Sequence, residues 1–295
     1  RGFNMLPEQP DRPDEDKFYG FVFQDTDFSK WIEAVGYALA QHPDPALQTL
    51  ADGAIDIVCA AQDDTGYLDT CYILNGMDRS FTNLKDHHEL YCFGHLTEGA
   101  VSYYQATGHD KLLRAVCRFA DYIAQRFGPD EGQLKGYPGH EVAEMALYRL
   151  YGVTGEEKYR QMADFFLDQR GASPNYFSLE EEANARDGVS SPHSDKSYYQ
   201  ADQPVRDMDE IKGHAVRAMY LCAGMADYAR INRDESMYEA CRRLWRSTVR
   251  DKLYVTGGVG GTVHGEAFSF PFDLRNDLAY SETCAAIGLV FFARR

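Results

Sequence analysis

Gly94-His95-Leu96-Thr97-Glu98, Gly139-His140-Glu141-Val142-Ala143-Glu144 and Gly213-His214-Ala215-Val216-Arg217 are the stretches whose reading decides the fold. Each opens an apolar run with the three- and four-residue steps of a helix. The first run stops at Ala106-Thr107-Gly108 and the second at Val153-Thr154-Gly155, while the third passes through Arg230-Ile231-Asn232-Arg233. A glycine just past a helix end can take the left-handed conformation that closes the last turn. A second helix is expected after each stop, over 111–127, from 157 to about 169, and ending near Val249.

The same layout precedes the first of these units. Helical period begins at Asp27, with Trp31, Ala34, Val35, Ala38 and Leu39 on one face, and His42-Pro43-Asp44-Pro45 breaks it. A partner helix follows, with Leu47, Leu50, Ala54, Ile57 and Val58 on its apolar side. The pattern therefore predicts four helix pairs and the start of a fifth at Ser281. A helix pair cannot bury its own apolar face, so pairs recurring every 40 to 50 residues imply a stacked or closed array. Helical solenoids share that period. They do not account for a Gly-His at each first helix, or for the long Gly- and aromatic-rich connections between pairs. A closed toroid does, because its connections into the inner helices open on one side and build one pocket. The expected fold is all-α, an (α/α)6 toroid over 27–295, incomplete at both ends. An irregular opening segment covers 1–26 and a polar insertion lies at about 172–208. The apolar run Cys284–Phe292 reads as a buried inner helix.

Composition narrows the partners. The balance of 30 basic against 46 acidic residues gives a net charge of −16, which argues against nucleic acid or an anionic membrane surface. A sugar is unaffected by that charge. Seven scattered cysteines, without CxxC spacing, do not suggest a disulfide framework. Reduced thiols fit a cytoplasmic protein; the chain shows no initiator Met, so its visible start does not speak against secretion. No apolar run reaches the roughly 18 residues of a membrane span.

Chemistry concentrates in the last forty residues: Thr256-Gly257-Gly258-Val259-Gly260-Gly261, then Gly265-Glu266-Ala267-Phe268, then Ser281-Glu282-Thr283-Cys284. Glu266 is a candidate proton donor and acceptor. Glu282 and Cys284 are candidate metal ligands, since carboxylate oxygen and thiolate sulfur both belong to zinc's donor set. Zinc takes about four ligands, so this pair reads as half a site. His95, His140 and His214, in equivalent places of three units, should converge on the toroid's mouth and bind sugar hydroxyls, or form a three-histidine metal site. Of His87-His88, at most one should line the pocket. Glu98 and Glu144 read as helix-start carboxylates, and Asp25 as an N-cap.

Taken in order, these motifs closely resemble the glycoside hydrolase family 127 enzymes, whose best-known activity is β-L-arabinofuranosidase; the resemblance covers essentially the whole chain. It implies a six-hairpin glycosidase that releases terminal β-L-arabinofuranose, or a related sugar, from plant-type glycans. It also implies that Glu266 is the general acid/base, that Glu282 and Cys284 bind zinc, and that His95, His140 and His214 line the sugar subsite. In the family two adjacent downstream cysteines complete the zinc site, and one is the nucleophile; this sequence contains no such pair. The implied mechanism is double displacement with retention: a zinc-bound thiolate attacks the anomeric carbon, and Glu266 first protonates the leaving oxygen and then activates water. A chain of this length is accordingly expected to be inactive. The rival readings are another glycosidase specificity on the same frame, a non-catalytic sugar-binding toroid, and an epimerase with histidine acid/base pairs.

Overall fold

The computed structural model describes residue 18 and residues 20–188 and 193–295; most of the expected opening segment, up to residue 17, lies outside the described residues. Eleven α-helices and no strand occur among them. They are α1 (Thr26–Gln41), α2 (Pro45–Ala60), α3 (Thr70–Asn75), α4 (Glu89–Thr107), α5 (Lys111–Arg126), α6 (Ala143–Thr154), α7 (Glu157–Gln169), α8 (Tyr176–Arg186), α9 (Ala215–Asn232), α10 (Glu235–Asp251) and α11 (Thr283–Arg294).

Packing sorts these into two layers. Helices α1, α4, α6, α9 and α11 lie side by side in that order as an inner row, while α5, α7 and α10 back α4, α6 and α9, and α2 leans on α5. The central inner helices are buried around most of their circumference, α4 without interruption from Glu89 to Tyr103 and α9 from Ala215 to Met225. At the two ends of the row, α1 and α11 bury one stripe. Helix α11, expected to be buried all round, covers Ala285, Gly288, Leu289 and Phe292 and exposes Ile287 and Val290, since α9 packs against one side of it. Outer helices bury one stripe, as α5 does with Leu112, Val116, Phe119 and Ile123. Between the layers, Phe119 meets Phe93 and Tyr67 edge-on, and Phe127 joins Phe81 to Phe166. Each fully buried aromatic of this kind contributes about 1.5–3 kcal/mol of burial. This is the inner-and-outer architecture expected of an (α/α) toroid.

Helix ends follow the sequence closely where glycine closes them. Gly108 (φ 76°) ends α4 and Gly155 (φ 73°) ends α6; Arg233 (φ 55°) does the same for α9 without a glycine.

Helix starts and faces depart from expectation. The buried face of α1 is Ile32, Val35, Gly36 and Leu39, while Trp31, Ala34 and Ala38 face outward. The reason is a glycine contact. A Cβ on Gly36 would collide with Ser102 of α4, and one on Gly99 of α4 would come 2.6 Å from Ile32. Each helix thus presents a glycine to a side chain of the other, and that close crossing sets the stripe. Helix α2 is likewise rotated, burying Ala51, Ile55 and Val58 and exposing Leu50 and Ile57. Asp25 flanks α1 without capping it; its carboxylate accepts from the Thr70 N–H and hydroxyl, both at 2.7 Å, and fixes the start of α3 instead. Glu98 lies well inside α4, where it pairs with Arg149 of α6.

The insertion is built into the core. In α8, Glu180 accepts from the backbone N–H groups of Leu84 and Lys85, at 2.7 and 2.9 Å. Tyr199 donates to Asp86 at 2.6 Å. Both contacts grip the segment that leads into His87 and His88.

Candidate active site at the ends of the inner helices

The three Gly-His pairs occupy three different local positions. Helix α4 begins at Glu89, five residues before Gly94, because Glu89 anchors its first turn: the carboxylate accepts from the Tyr67 hydroxyl and the Phe81 N–H, both at 2.6 Å. His95 is therefore in the second turn. His140 stands ahead of α6, its Nδ1 at 3.0 Å from the Glu141 carbonyl. His214 is the N-cap of α9, and its Nδ1 accepts from the Arg217 N–H at 3.4 Å.

What the pairs share is the glycine's close approach to another segment. A Cβ on Gly94 would strike Val142, on Gly139 the Leu84 and Lys85 carbonyls, and on Gly213 the Ser197 carbonyl. Each glycine draws two segments together, and the histidine beside it projects into the space they enclose.

The rings do converge. His140 lies 5.5 Å from His214 and 5.5 Å from His88, centroid to centroid. Tyr91 sits between His95, at 4.4 Å, and His140, at 4.3 Å, and Tyr220 is 5.9 Å from His95. Of the adjacent pair, only His88 joins this cluster; His87 turns away to the Tyr72 hydroxyl, at 2.6 Å.

Glu266 reaches the cluster through a pinned turn. Thr262 and Ala267 exchange N–H···O bonds at 3.2 Å, and the Phe268 N–H donates to the Gly213 carbonyl at 2.9 Å, laying the turn beside His214. Gly265 (φ 69°) and Glu266 (φ 53°) are both left-handed. That conformation is uncommon for a glutamate, and here it presents the carboxylate to the site. Its Oε2 is 3.0 Å from His214 Nε2, and its Oε1 accepts from the Tyr280 hydroxyl at 3.0 Å. Because His214 Nδ1 is an acceptor, its proton sits on Nε2 and is donated to Glu266. The Gly-rich run supplies clearance: Gly260 (φ 97°) passes Ala215 of α9, and its carbonyl accepts from the Ser281 N–H at 3.0 Å.

Glu282 and Cys284 meet at the start of α11. The thiol lies beside the Glu282 carboxylate and near Tyr91 and Tyr220; burial, and then that carboxylate, raises its pKa. Glu282 Oε2 is buried without a hydrogen-bond partner. An orphaned carboxylate oxygen beside a thiol fits two positions of a zinc shell. Among the described residues no set of three or more His, Cys, Asp or Glu side chains is gathered around a metal position, so His95, His140 and His214 do not form the alternative three-histidine site. All seven cysteines are free.

The electrostatics have clear causes. Burial, and then the Arg217 charge, pushes His140 well below the ordinary histidine value and takes His88 down to about 3. Burial and Lys30 do the same to His95. Burial also lowers His214, against the opposing pull of Glu266. The site histidines are thus neutral, each able to give one hydrogen bond and accept one. His95 uses neither: both ring nitrogens are buried without a partner. Glu266 is held below the usual carboxylate range, first by the bond from His214.

Sequence reasoning missed the tyrosines. Tyr91 precedes His95 by four residues on α4, so helical spacing alone puts it on the same face. Tyr198, from the insertion, stacks on His193 at 4.3 Å and packs against His214 at 5.7 Å; nothing local marks it.

Comparison with known proteins places this geometry. Residues 2–295 match the family model described as "Beta-L-arabinofuranosidase, GH127 catalytic domain". The non-reducing end beta-L-arabinofuranosidase of Bifidobacterium longum subsp. longum is 40% identical over 287 residues, covering 95% of this chain and 44% of the relative. The crystal structure of a GH127 beta-L-arabinofuranosidase from Geobacillus stearothermophilus T6 superposes with a TM-score of 0.93 at 46% identity, over 99% of this chain and 46% of that one. A second solved GH127 beta-arabinofuranosidase gives 0.86 at 39% identity, over 99% of this chain and 44% of that one. The chain spans about half the length of these relatives.

Proposed function

Since the chain belongs to the glycoside hydrolase family 127 catalytic-domain family, we propose that it carries the acid/base, the sugar-binding histidines and two zinc donors of a retaining β-L-arabinofuranosidase. The substrate is a terminal β-L-arabinofuranose, or a related sugar, on a plant-type glycan. The observation that carries this reading is the meeting of Glu266 with His214, beside a neutral His140 and a His95 whose two ring nitrogens have no protein partner.

Sugar hydroxyls both donate and accept, which suits neutral imidazoles. His140 gives its Nδ1 proton to the Glu141 carbonyl, so its Nε2 is left to accept from a hydroxyl. His95 offers one nitrogen of each kind. Tyr91 and Tyr220 supply apolar faces between and beside the histidines.

Glu266 acts twice. As an acid it gives its proton to the glycosidic oxygen, and as a base it takes one from water. The bonds from His214 and Tyr280 hold it ionised in the ligand-free site, ready for the base step. For the acid step a bound sugar must shield Glu266 from water, which raises a carboxyl's pKa. Glu282 and Cys284 would hold zinc together with donors beyond these residues. Zinc there would supply the charge that keeps a cysteine thiol deprotonated at neutral pH. The nucleophile is a cysteine other than the seven here.

The test uses the full-length enzyme that carries these residues. It should release 4-nitrophenol from 4-nitrophenyl β-L-arabinofuranoside and not from the α-anomer, contain about one zinc per chain, and lose activity when zinc is stripped with a chelator. Sugar binding without turnover, in metal-free and metal-loaded protein alike, would leave a binding module instead.

A further inference from the structure

Arg217, the last residue of the third Gly-His motif, acts on the site so far described only through its backbone N–H and its charge; its side chain makes no hydrogen bond there. It lies on the first turn of α9 with 6% of its surface exposed. Its guanidinium lies against two adjoining rings of the insertion, 5.2 Å from the centroid of Tyr198 and 4.6 Å from that of Tyr199, and these rings meet edge-on at 4.9 Å. Nε and Nη1 are buried and have no hydrogen-bond partner. Leaving a buried donor unpaired is costly, and more so on a charged group.

The surroundings say what those donors face. Tyr198 packs on His214, and a Cβ on Gly265 would come 3.0 Å from the same ring. Arg217 therefore stands on the same side of the histidine cluster as the turn that carries Glu266. The charged and titratable groups that feel it include His88, His140, His214, Glu141, Glu266, Tyr198 and Tyr199, and none is hydrogen-bonded to its side chain. The two rings hold the guanidinium in place while its Nε and Nη1 stay without partners. That arrangement pre-orients hydrogen-bond donors for an acceptor supplied from outside the protein.

We propose that Arg217 is a substrate-contacting residue, which donates its unpaired guanidinium N–H groups to an oxygen of the bound glycoside on the side where Tyr198 and Glu266 stand. This rests on the glycosidase reading above. It adds a cationic donor to a subsite otherwise made of neutral imidazoles and phenols, and it explains why the insertion's two tyrosines are drawn into the site.

The experiment is calorimetric titration of the full-length enzyme with methyl 1-thio-β-L-arabinofuranoside, a non-hydrolysable glycoside. Arg217→Met keeps an unbranched apolar stem against the two rings and removes every donor. It should bind roughly 10- to 100-fold more weakly, the loss expected for a hydrogen bond to a charged group, at an unchanged melting temperature. Arg217→Lys, which keeps the charge without the planar fork, should fall between. Equal affinity in Arg217→Met and the parent overturns the proposal and leaves the glycosidase reading intact. If Arg217→Met does not fold, Arg217→Lys decides: a folded lysine variant with parental affinity overturns it. If the parent does not bind the thioglycoside, both readings fall together.

Discussion

Two buried arginines, Arg170 and Arg217, stand on opposite sides of His140 in function, and their difference separates scaffold from site. Arg170 has no exposed surface, and both its terminal nitrogens are partnered. Nη1 donates to the Tyr199 carbonyl at 3.0 Å and ion-pairs with Glu141 at 2.8 Å; Nη2 bonds the Pro138 carbonyl at 2.6 Å and Glu144 at 3.1 Å. It thereby ties α7, the stretch before α6 and the insertion into one support beneath His140. Arg217 is nearly as deep and has only aromatic faces. Arg170 leaves only its Nε unpaired, whereas Arg217 lacks a partner at both Nε and Nη1; a side chain paired at its end braces the fold, and one at the site that is left without pairs can meet a ligand. His95 and Glu282 Oε2 fall on the second side of that line.

The largest expected effect comes from breaking the satisfied side. Arg170→Met strands the Glu141 and Glu144 carboxylates in the interior, and loss of one partner from a buried ion pair costs about 3–5 kcal/mol. Denaturant unfolding should show a loss of that size, with His140 displaced.

His95→Phe makes the opposite test. The substitution removes two orphan nitrogens and keeps a ring of similar shape, so stability should be unchanged or raised. Affinity for methyl 1-thio-β-L-arabinofuranoside should fall roughly tenfold or more, as for losing about one to two hydrogen bonds. A destabilised His95→Phe with parental affinity would move His95 to the scaffold.

The smallest effect is a slope. His88, His95 and His140 are held neutral in the folded state, so above about pH 6.5, the ordinary histidine value, they are uncharged in both states. As pH falls below that, the unfolded chain takes up protons that the folded chain refuses, and stability is lost. Glu89 works the other way. Burial raises it to about 8, so the folded state keeps a proton that the unfolded chain gives up above about pH 4.5, and stability falls as pH rises from there towards 8. Melting temperatures across pH 4–8 should show an acid limb that becomes shallower in His95→Phe and steeper in Glu89→Gln, which removes the opposing slope that Glu89 supplies above about pH 4.5.

The same distinction explains what the sequence could tell. Helix pairs, their glycine stops at Gly108 and Gly155, and the convergence of three histidines follow from local spacing and repetition. So does Glu266 beside a glycine that permits its left-handed turn. The faces of α1 and α2 do not, since the crossing at Gly36 and Gly99 is a contact between distant segments. Nor do Tyr198 and Arg217, whose meeting depends on the insertion folding back onto the first turn of α9, 19 residues further along the chain. The three histidines looked equivalent in sequence and are not equivalent in backbone position; what repeats is the close-packed glycine.

The central claim is that Glu266 is the acid/base of this site, and it is tested most directly by its dependence on the leaving group. In the full-length enzyme, Glu266→Gln should lower kcat/KM for methyl β-L-arabinofuranoside by roughly 10²–10⁴-fold. For the 4-nitrophenyl glycoside, whose leaving group needs no proton, the loss in kcat/KM should be far smaller. Equal losses on the two substrates, or none on either, would contradict it.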